Sequence, residues 1–178
     1  MPGSRSIIRR LTLAATLAAT SIARGADQPL KVEVQHSVAT LDSAGGHVTY
    51  MLKFDLHLLN KSAAPMSLPT VETSDENSIS VLGMEYKSLR GPWTSLFQTS
   101  FYGSGEEKYE QCTTLAPART KEIVGITKRF SLLRKQLSDL GVEPTFRLYL
   151  MVSCRRLDGS VISPAFLTEG FTLRLPPP

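Results

Sequence analysis

From Val48 to Leu58 the chain alternates without a break. Val48, Tyr50, Leu52, Phe54, Leu56 and Leu58 fall on one parity, and Thr49, Met51, Lys53, Asp55 and His57 on the other. Successive side chains of a strand point to opposite faces, so this pattern demands a strand with one face on a core and one in water. A helix would scatter the same six apolar residues around its circumference. Asn60-Lys61-Ser62-Ala63-Ala64-Pro65 closes the segment as a turn. The same alternation sets Leu30, Val32, Val34 and Val38 against Lys31, Glu33, Gln35 and Ser37, with Asp42 to Gly46 as the turn between the two strands. It recurs with Phe146, Leu148, Leu150, Val152 and Cys154 against Arg147, Tyr149, Met151, Ser153 and Arg155. Asp158-Gly159 then supplies a tight hairpin turn. The return strand begins at Val161–Ile162, is interrupted by Pro164 and finishes with Phe171, Leu173 and Leu175. Proline has no N–H for a sheet ladder, which marks an edge strand or a bulge.

The middle of the chain changes phase. Ile79 and Val81 share one parity, while Leu82, Met84 and Tyr86 share the other, which predicts a β-bulge beside Gly83. Glu122 to Thr127 reads as a short strand. Ser131 to Gly141 is the one helical pattern: Ser131 as cap, Leu133, Leu137 and Leu140 on one face, Gly141 as stop. Many alternating strands with a single short helix predict an all-β fold, one sandwich of two packed antiparallel sheets.

The chain resembles immunoglobulin-like sandwiches in general. The features that carry the resemblance are the long strand ending Leu58-Leu59-Asn60-Lys61-Ser62, Leu115-Ala116-Pro117 before the strand at Glu122, the helical turn before the Phe146 strand and the Asp158-Gly159 hairpin. One departure is that the strand from Val48 to Leu58 holds no cysteine for a core disulfide. The resemblance implies a fold and no activity.

The N-terminus sets the expected compartment. Arg5, Arg9 and Arg10 precede a charge-free, Ala- and Leu-rich run from Leu11 to Ala23, and Ala23-Arg24-Gly25-Ala26 follows. This is the three-part pattern of a secretory signal, and its apolar run of about 13 residues is shorter than the roughly 20 a membrane span needs. The expected organisation is a signal peptide over 1–26 and a sandwich domain over 27–178, without a membrane span in the mature chain and located outside the cytoplasm. Arg9-Arg10 before Leu11-Thr12-Leu13 loosely resembles a twin-arginine signal. Four of the 20 bases lie in the leader with no acid, leaving 16 bases against 16 acids in the mature part. The basic pI therefore argues for no nucleic-acid partner, which would need a basic patch surviving processing. Cys112 and Cys154 are the only cysteines. In an exported chain they predict one disulfide, worth roughly 4 kcal/mol in the chain-entropy model.

Catalytic and metal motifs are weak. His47, Met51 and His57 share one strand face, but at about 3.3 Å per residue the two histidines stand roughly 33 Å apart. They form no joint site, although His36 on the preceding strand would reach one of them. Asp55 and His57 share a face and make a candidate acid–imidazole pair, and Ser104 in Gly103-Ser104-Gly105 is the nucleophile a hydrolase would use, without the elbow motif. Glu106, Glu107 and Glu110 lack the spaced ligands of a calcium loop. Asn60-Lys61-Ser62 matches a glycosylation sequon. No cofactor, metal or catalytic set is assigned. The candidate binding surface is the aromatic group Trp93, Phe97, Phe101 and Tyr102, since Trp and Tyr are enriched among interface anchors. The function expected is a non-catalytic binding module for another envelope or secreted protein. The alternatives are a weak hydrolase using Asp55, His57 and Ser104, or a metal-handling protein. N-terminal sequencing of the exported product is expected to begin at Ala26 or Asp27; a product retaining Met1 would refute cleavage.

Overall fold

The computed structural model describes residues 28–45, 47–70, 78–87, 91–98, 109–140 and 144–178. The expected signal peptide lies outside them. The alternating segment is β2 (His47–Asn60), paired antiparallel on one side with β1 (Leu30–Ala44) and on the other with β7 (Thr120–Leu133). Val48, Tyr50, Leu52, Phe54, Leu56 and Leu58 are each no more than 1% exposed. The second main sheet runs in the order β11 (Ala165–Leu167), β8 (Thr145–Val152), β4 (Ile79–Lys87), β5 (Trp93–Gln98), with β12 (Phe171–Thr172) also on β8. Two small pairs complete the described strands: β3 (Met66–Pro69) with β6 (Cys112–Leu115), and β9 (Cys154–Arg155) with β10 (Val161–Ile162). The fold is all-β with antiparallel sheets and one short helix, as the alternation predicts.

The core lies between the two main sheets. Phe97 of β5 stacks on Phe130 of β7 at 6.5 Å, and Phe130 on Tyr50 of β2 at 5.6 Å, so a row of rings crosses from one sheet to the other. Such pairs add about 0.5–1.5 kcal/mol beyond the area they bury. Burial raises the Tyr50 phenol above its ordinary pKa, and the hydroxyl donates to the Pro176 carbonyl at 3.1 Å, fastening the C-terminal segment over this end of the core. Cys112 and Cys154 form the expected disulfide, which ties β6 to β9. Cys154 is 1% exposed, and Ser153 beside it is buried as well, so the end of β8 is covered on both faces. Alternation does not foretell that second cover, which comes from contacts distant in sequence: Ser153 N donates to the Ser78 carbonyl, and its hydroxyl meets that of Ser163 at 2.9 Å.

Several local expectations shift. β7 is far longer than Glu122–Thr127 and continues through Leu133. The helix α1 is accordingly only Arg134–Leu140. Ser131 does not cap it; its hydroxyl bonds Thr49 Oγ1 across the sheet at 2.8 Å. The cap is made from the other direction, Gln136 Oε1 accepting from Leu133 N at 2.8 Å, which is the reciprocal half of a capping box. The predicted stop, Gly141, lies outside the described residues. The predicted bulge is present, with Leu82 as the extra residue between the pairs Val81–Leu150 and Gly83–Tyr149. Asn60 is fully buried. Its amide nitrogen donates to the carbonyls of Ala64 and Leu115, each at 2.9 Å, and its carbonyl oxygen accepts from Ser62 N and Oγ. The apparent sequon is thus a turn lock, with its amide nitrogen occupied.

Asp55 holds two irregularities at once. β1 gains one residue between Gln35 and Val38, and β7 gains one between Ile123 and Ile126, both beside Asp55. His36 and Gly125 take the resulting left-handed conformations, φ 47° and 75°. Asp55 Oδ2 meets His36 Nδ1 at 3.0 Å, and Oδ1 accepts from Gly125 N at 2.8 Å. The His36 side chain is 81% exposed, so that pair contributes little. The half-buried bond to Gly125 N is the strong one, since hydrogen bonds to charged groups contribute about 1.5–3 kcal/mol. Asp55→Ala is expected to lower stability by about 2 kcal/mol in urea unfolding and His36→Ala by less than about 0.5 kcal/mol; equal effects would contradict this division.

Candidate functional site

The outer face of the five-stranded sheet carries an ordered polar cluster. Glu85 of β4 stands directly opposite Arg147 of β8. Arg147 Nε donates to Glu85 Oε2 at 2.6 Å, and the Tyr149 hydroxyl donates to Glu85 Oε1 at 3.0 Å, so both carboxylate oxygens are held. The Arg147 guanidinium lies 4.2 Å from the centre of the Trp93 ring. Arg147 and Glu85 side chains are 21% and 16% exposed, which shields their attraction from solvent more than at an open surface. A cation over an indole face adds about 0.5–2 kcal/mol.

A bulge decides which aromatic joins this cluster. Met84 pairs with Phe97 and Glu85 with Ser95, leaving Leu96 as an extra residue. Trp93 and Phe97 have the same sequence parity, but the extra residue reverses the face between them. Trp93 therefore falls on the outer side with Glu85 and Arg147, while Phe97 turns inward with Met84 onto Phe130. Lys128 lies 6.0 Å over the Phe97 ring. The predicted aromatic group is thus divided at its first two members, and Phe101 and Tyr102 lie outside the described residues.

Beside Trp93 the return strand leaves its sheet. Between β11 and β12, Thr168 Oγ1 accepts from Leu148 N at 2.9 Å, and Glu169 N donates across to the Val32 carbonyl of β1 at 2.8 Å. Gly170 follows, and a Cβ there would meet Thr145 Cγ2 at 3.0 Å and Trp93 at 3.5 Å. The absent side chain lets the indole lie close against this link. The crossing opens a cleft of about 320 Å³ between the sheets' edges, with Trp93 and Arg147 on one wall, Lys31 and Lys61 on another, and Gln28, Thr168, Glu169 and Gly170 around Leu30, Val32 and Leu167. Sequence reasoning found Trp93 and missed Arg147, Glu85, Lys61 and Glu169. Arg147 and Tyr149 were visible on a polar strand face, but their shared acid comes from a strand distant in sequence.

The expected Asp55–His57 pair is not what forms. Asp55 takes His36 and Gly125 N, and His57 Nδ1 meets Glu33 Oε2 at 3.2 Å. Glu33 also binds the Lys31 ammonium, which with His57 holds its carboxyl below the ordinary range; the same bond raises Lys31. Ser104, Glu106 and Glu107 lie outside the described residues. Among the described residues no three His, Cys, Asp or Glu side chains are grouped to hold a metal ion. Nor is any described helix long and apolar enough to cross a membrane.

No protein-family model and no curated protein matches the sequence. The X-ray structure of the Northeast Structural Genomics Consortium target SoR45 is similar at 13% identity and a TM-score of 0.38, over 83% of this chain and 88% of that one. A likeness that shallow carries no argument about function.

Glu85→Ala removes the carboxylate that fixes both Arg147 and Tyr149. It is expected to destabilise the fold by about 2 kcal/mol and to change the emission of Trp93, the chain's single tryptophan. Unaltered emission in the folded variant would show that Glu85 does not position Arg147 over the ring.

Proposed function

We propose that the chain is an exported, non-catalytic binding module of the immunoglobulin-like sandwich type. It recognises a secreted or envelope protein through the Trp93–Arg147 cleft. The observation that carries this reading is the prearranged stack at the cleft wall, where Glu85 and Tyr149 fix Arg147 over Trp93 before any partner arrives. Trp, Tyr and Arg are the residue types most enriched among interface hot spots, and side chains already held in place lose less entropy on binding. The disulfide fits an oxidising compartment outside the cytoplasm, in keeping with the basic and apolar leader.

The test is crosslinking and affinity capture from the native extracytoplasmic compartment with wild type, Trp93→Ala and Phe97→Ala. Trp93→Ala is expected to keep the fold and lose partner capture by about thirtyfold or more, since hot-spot truncations cost about 2 kcal/mol or more. Phe97→Ala is expected to lose stability, about 2 kcal/mol as the truncation of a half-buried ring packed against the core, and to bind whenever folded. Undiminished capture by folded Trp93→Ala would remove the cleft as the recognition site.

A further inference from the structure

We infer that the Trp93–Arg147 cleft takes a carboxylate-bearing stretch of peptide, its carboxylate held by Arg147 and Lys61 and its adjoining apolar part laid against Trp93. This rests on the preceding reading of the cleft as the recognition site and adds the chemistry of what enters it.

The hydrogen-bonding inventory points to an acceptor-rich ligand. Arg147 spends Nε on Glu85, which leaves its two terminal amino groups. Lys61 lines the cleft, and its ammonium has no side-chain partner among the described residues. The Thr168 oxygen accepts from Leu148 N, leaving its hydroxyl proton to donate. Gln28 accepts from Leu167 N at 3.0 Å through its carbonyl oxygen, leaving its amide N–H groups. Glu169 is the acidic side chain of the lining. Four sets of spare donors stand against one carboxylate.

The charge balance then selects among acceptors. Arg147 is paired with Glu85 and Lys31 with Glu33, and Glu169 adds to the field at Lys31, so Lys61 is the cation of the lining without a carboxylate partner among the described residues. A phosphate dianion would oversupply negative charge beside Glu169. A neutral sugar would desolvate Lys61 and return no charge to it, which is costly in a recessed site. A single carboxylate satisfies the cations, and Arg147 presents the fork geometry suited to it. Glu169 then accepts the N–H groups that a peptide brings with that carboxylate. The volume of about 320 Å³ is at the small end for ligand pockets, which suits one or two residues of a chain end or loop.

Because Trp93 is the chain's single tryptophan, its emission reads this cleft directly. The mature protein is titrated with acetyl-Ala-Leu-Glu in four forms: with both carboxylates, with a C-terminal amide, with Gln in place of Glu, and with both changes. Inorganic phosphate is titrated in parallel. Saturable emission change is expected with every form that keeps a carboxylate, and none with the doubly neutral form. The single-carboxylate forms tell whether a chain terminus or an acidic side chain is the better source. Lys61→Met, at an exposed position, is expected to weaken the carboxylate peptides about tenfold while leaving the urea midpoint unchanged. Equal binding of the doubly neutral peptide, tighter binding of phosphate, undiminished binding by Lys61→Met, or no response to any peptide would each overturn the inference. If the peptides fail while Trp93→Ala still abolishes partner capture, the ligand chemistry falls and the site stands. If neither responds, the site reading falls with it.

Discussion

The inner face of β2 is the constraint on which the rest of the structure depends. Its six apolar side chains are sealed from solvent, and the strand is paired on both sides, so its register cannot slip without turning all six outward. Each buried aliphatic or aromatic chain contributes about 1.5–3 kcal/mol relative to exposure, so such a slip is prohibitive. Extra residues in this sheet are therefore absorbed by the flanking strands. β1 and β7 both bulge at the level of Asp55, and its carboxylate occupies the gap between them. The acid that looks like half of a catalytic pair in the sequence is held in place by the demands of the sheet.

The second main sheet uses the same device with a different outcome. At Leu82 the extra residue reconciles Val81 with Met84, so that both parities of β4 end on the core side. At Leu96 it separates Trp93 from Phe97. One sheet thus receives a ring for its interior, where Phe97 continues the stack through Phe130 to Tyr50, and another for its outer face, where Trp93 lies under Arg147. Core and outer-face cluster are coupled through a six-residue strand. Without the bulge, Trp93 and Phe97, which share sequence parity, would fall on the same face.

What the sequence made legible was whatever repeats at a period of two. β2, the first part of β1 and β8 were readable because each meets a core on one face and water on the other, and the bulge beside Gly83 was readable because its flanks are apolar on opposite parities; past the bulge after Gln35 the facing of β1 reverses, so Ala39 is buried and Val38, expected on the core side, is 56% exposed. The length of β7 was not readable. Its outer residues include Val124 and Leu133, exposed by 41% and 49%, so hydrophobicity there does not report facing. The helix start was misplaced because a serine before Leu133, Leu137 and Leu140 matches a capping signal, while Thr49 across the sheet claims that serine's hydroxyl. At the candidate site, Trp93 was legible as a chemical type. Its separation from Phe97 was not, because Thr94, Ser95 and Leu96 give no phase signal comparable to that around Gly83. Glu85 with Arg147, and Glu33 with His57, are cross-strand pairs, and single-sequence spacing does not tell which strands become neighbours.

The position of the cleft follows from the same accounting of polar groups. Where the return strand leaves β8 at Thr168 to Gly170, the ladder would lose partners for its backbone. Thr168 Oγ1 accepts the Leu148 N–H instead, and Glu169 N finds the Val32 carbonyl on the other sheet. Buried backbone groups are thereby satisfied, as they must be. The donors left over are side-chain ends around the opening, where water reaches them and the free protein bears no penalty for leaving them without a protein partner. An arriving ligand removes that water and must replace each hydrogen bond it displaces. Arg147 is already fixed by Glu85 and by the Trp93 ring, so little of its rotamer freedom remains to be lost. Lys61, whose ammonium has no side-chain partner among the described residues, would be ordered by the proposed ligand itself. The two cations therefore differ in kind: under the proposed recognition Arg147 would supply a fixed direction to the cleft, while Lys61 would supply a salt-sensitive charge.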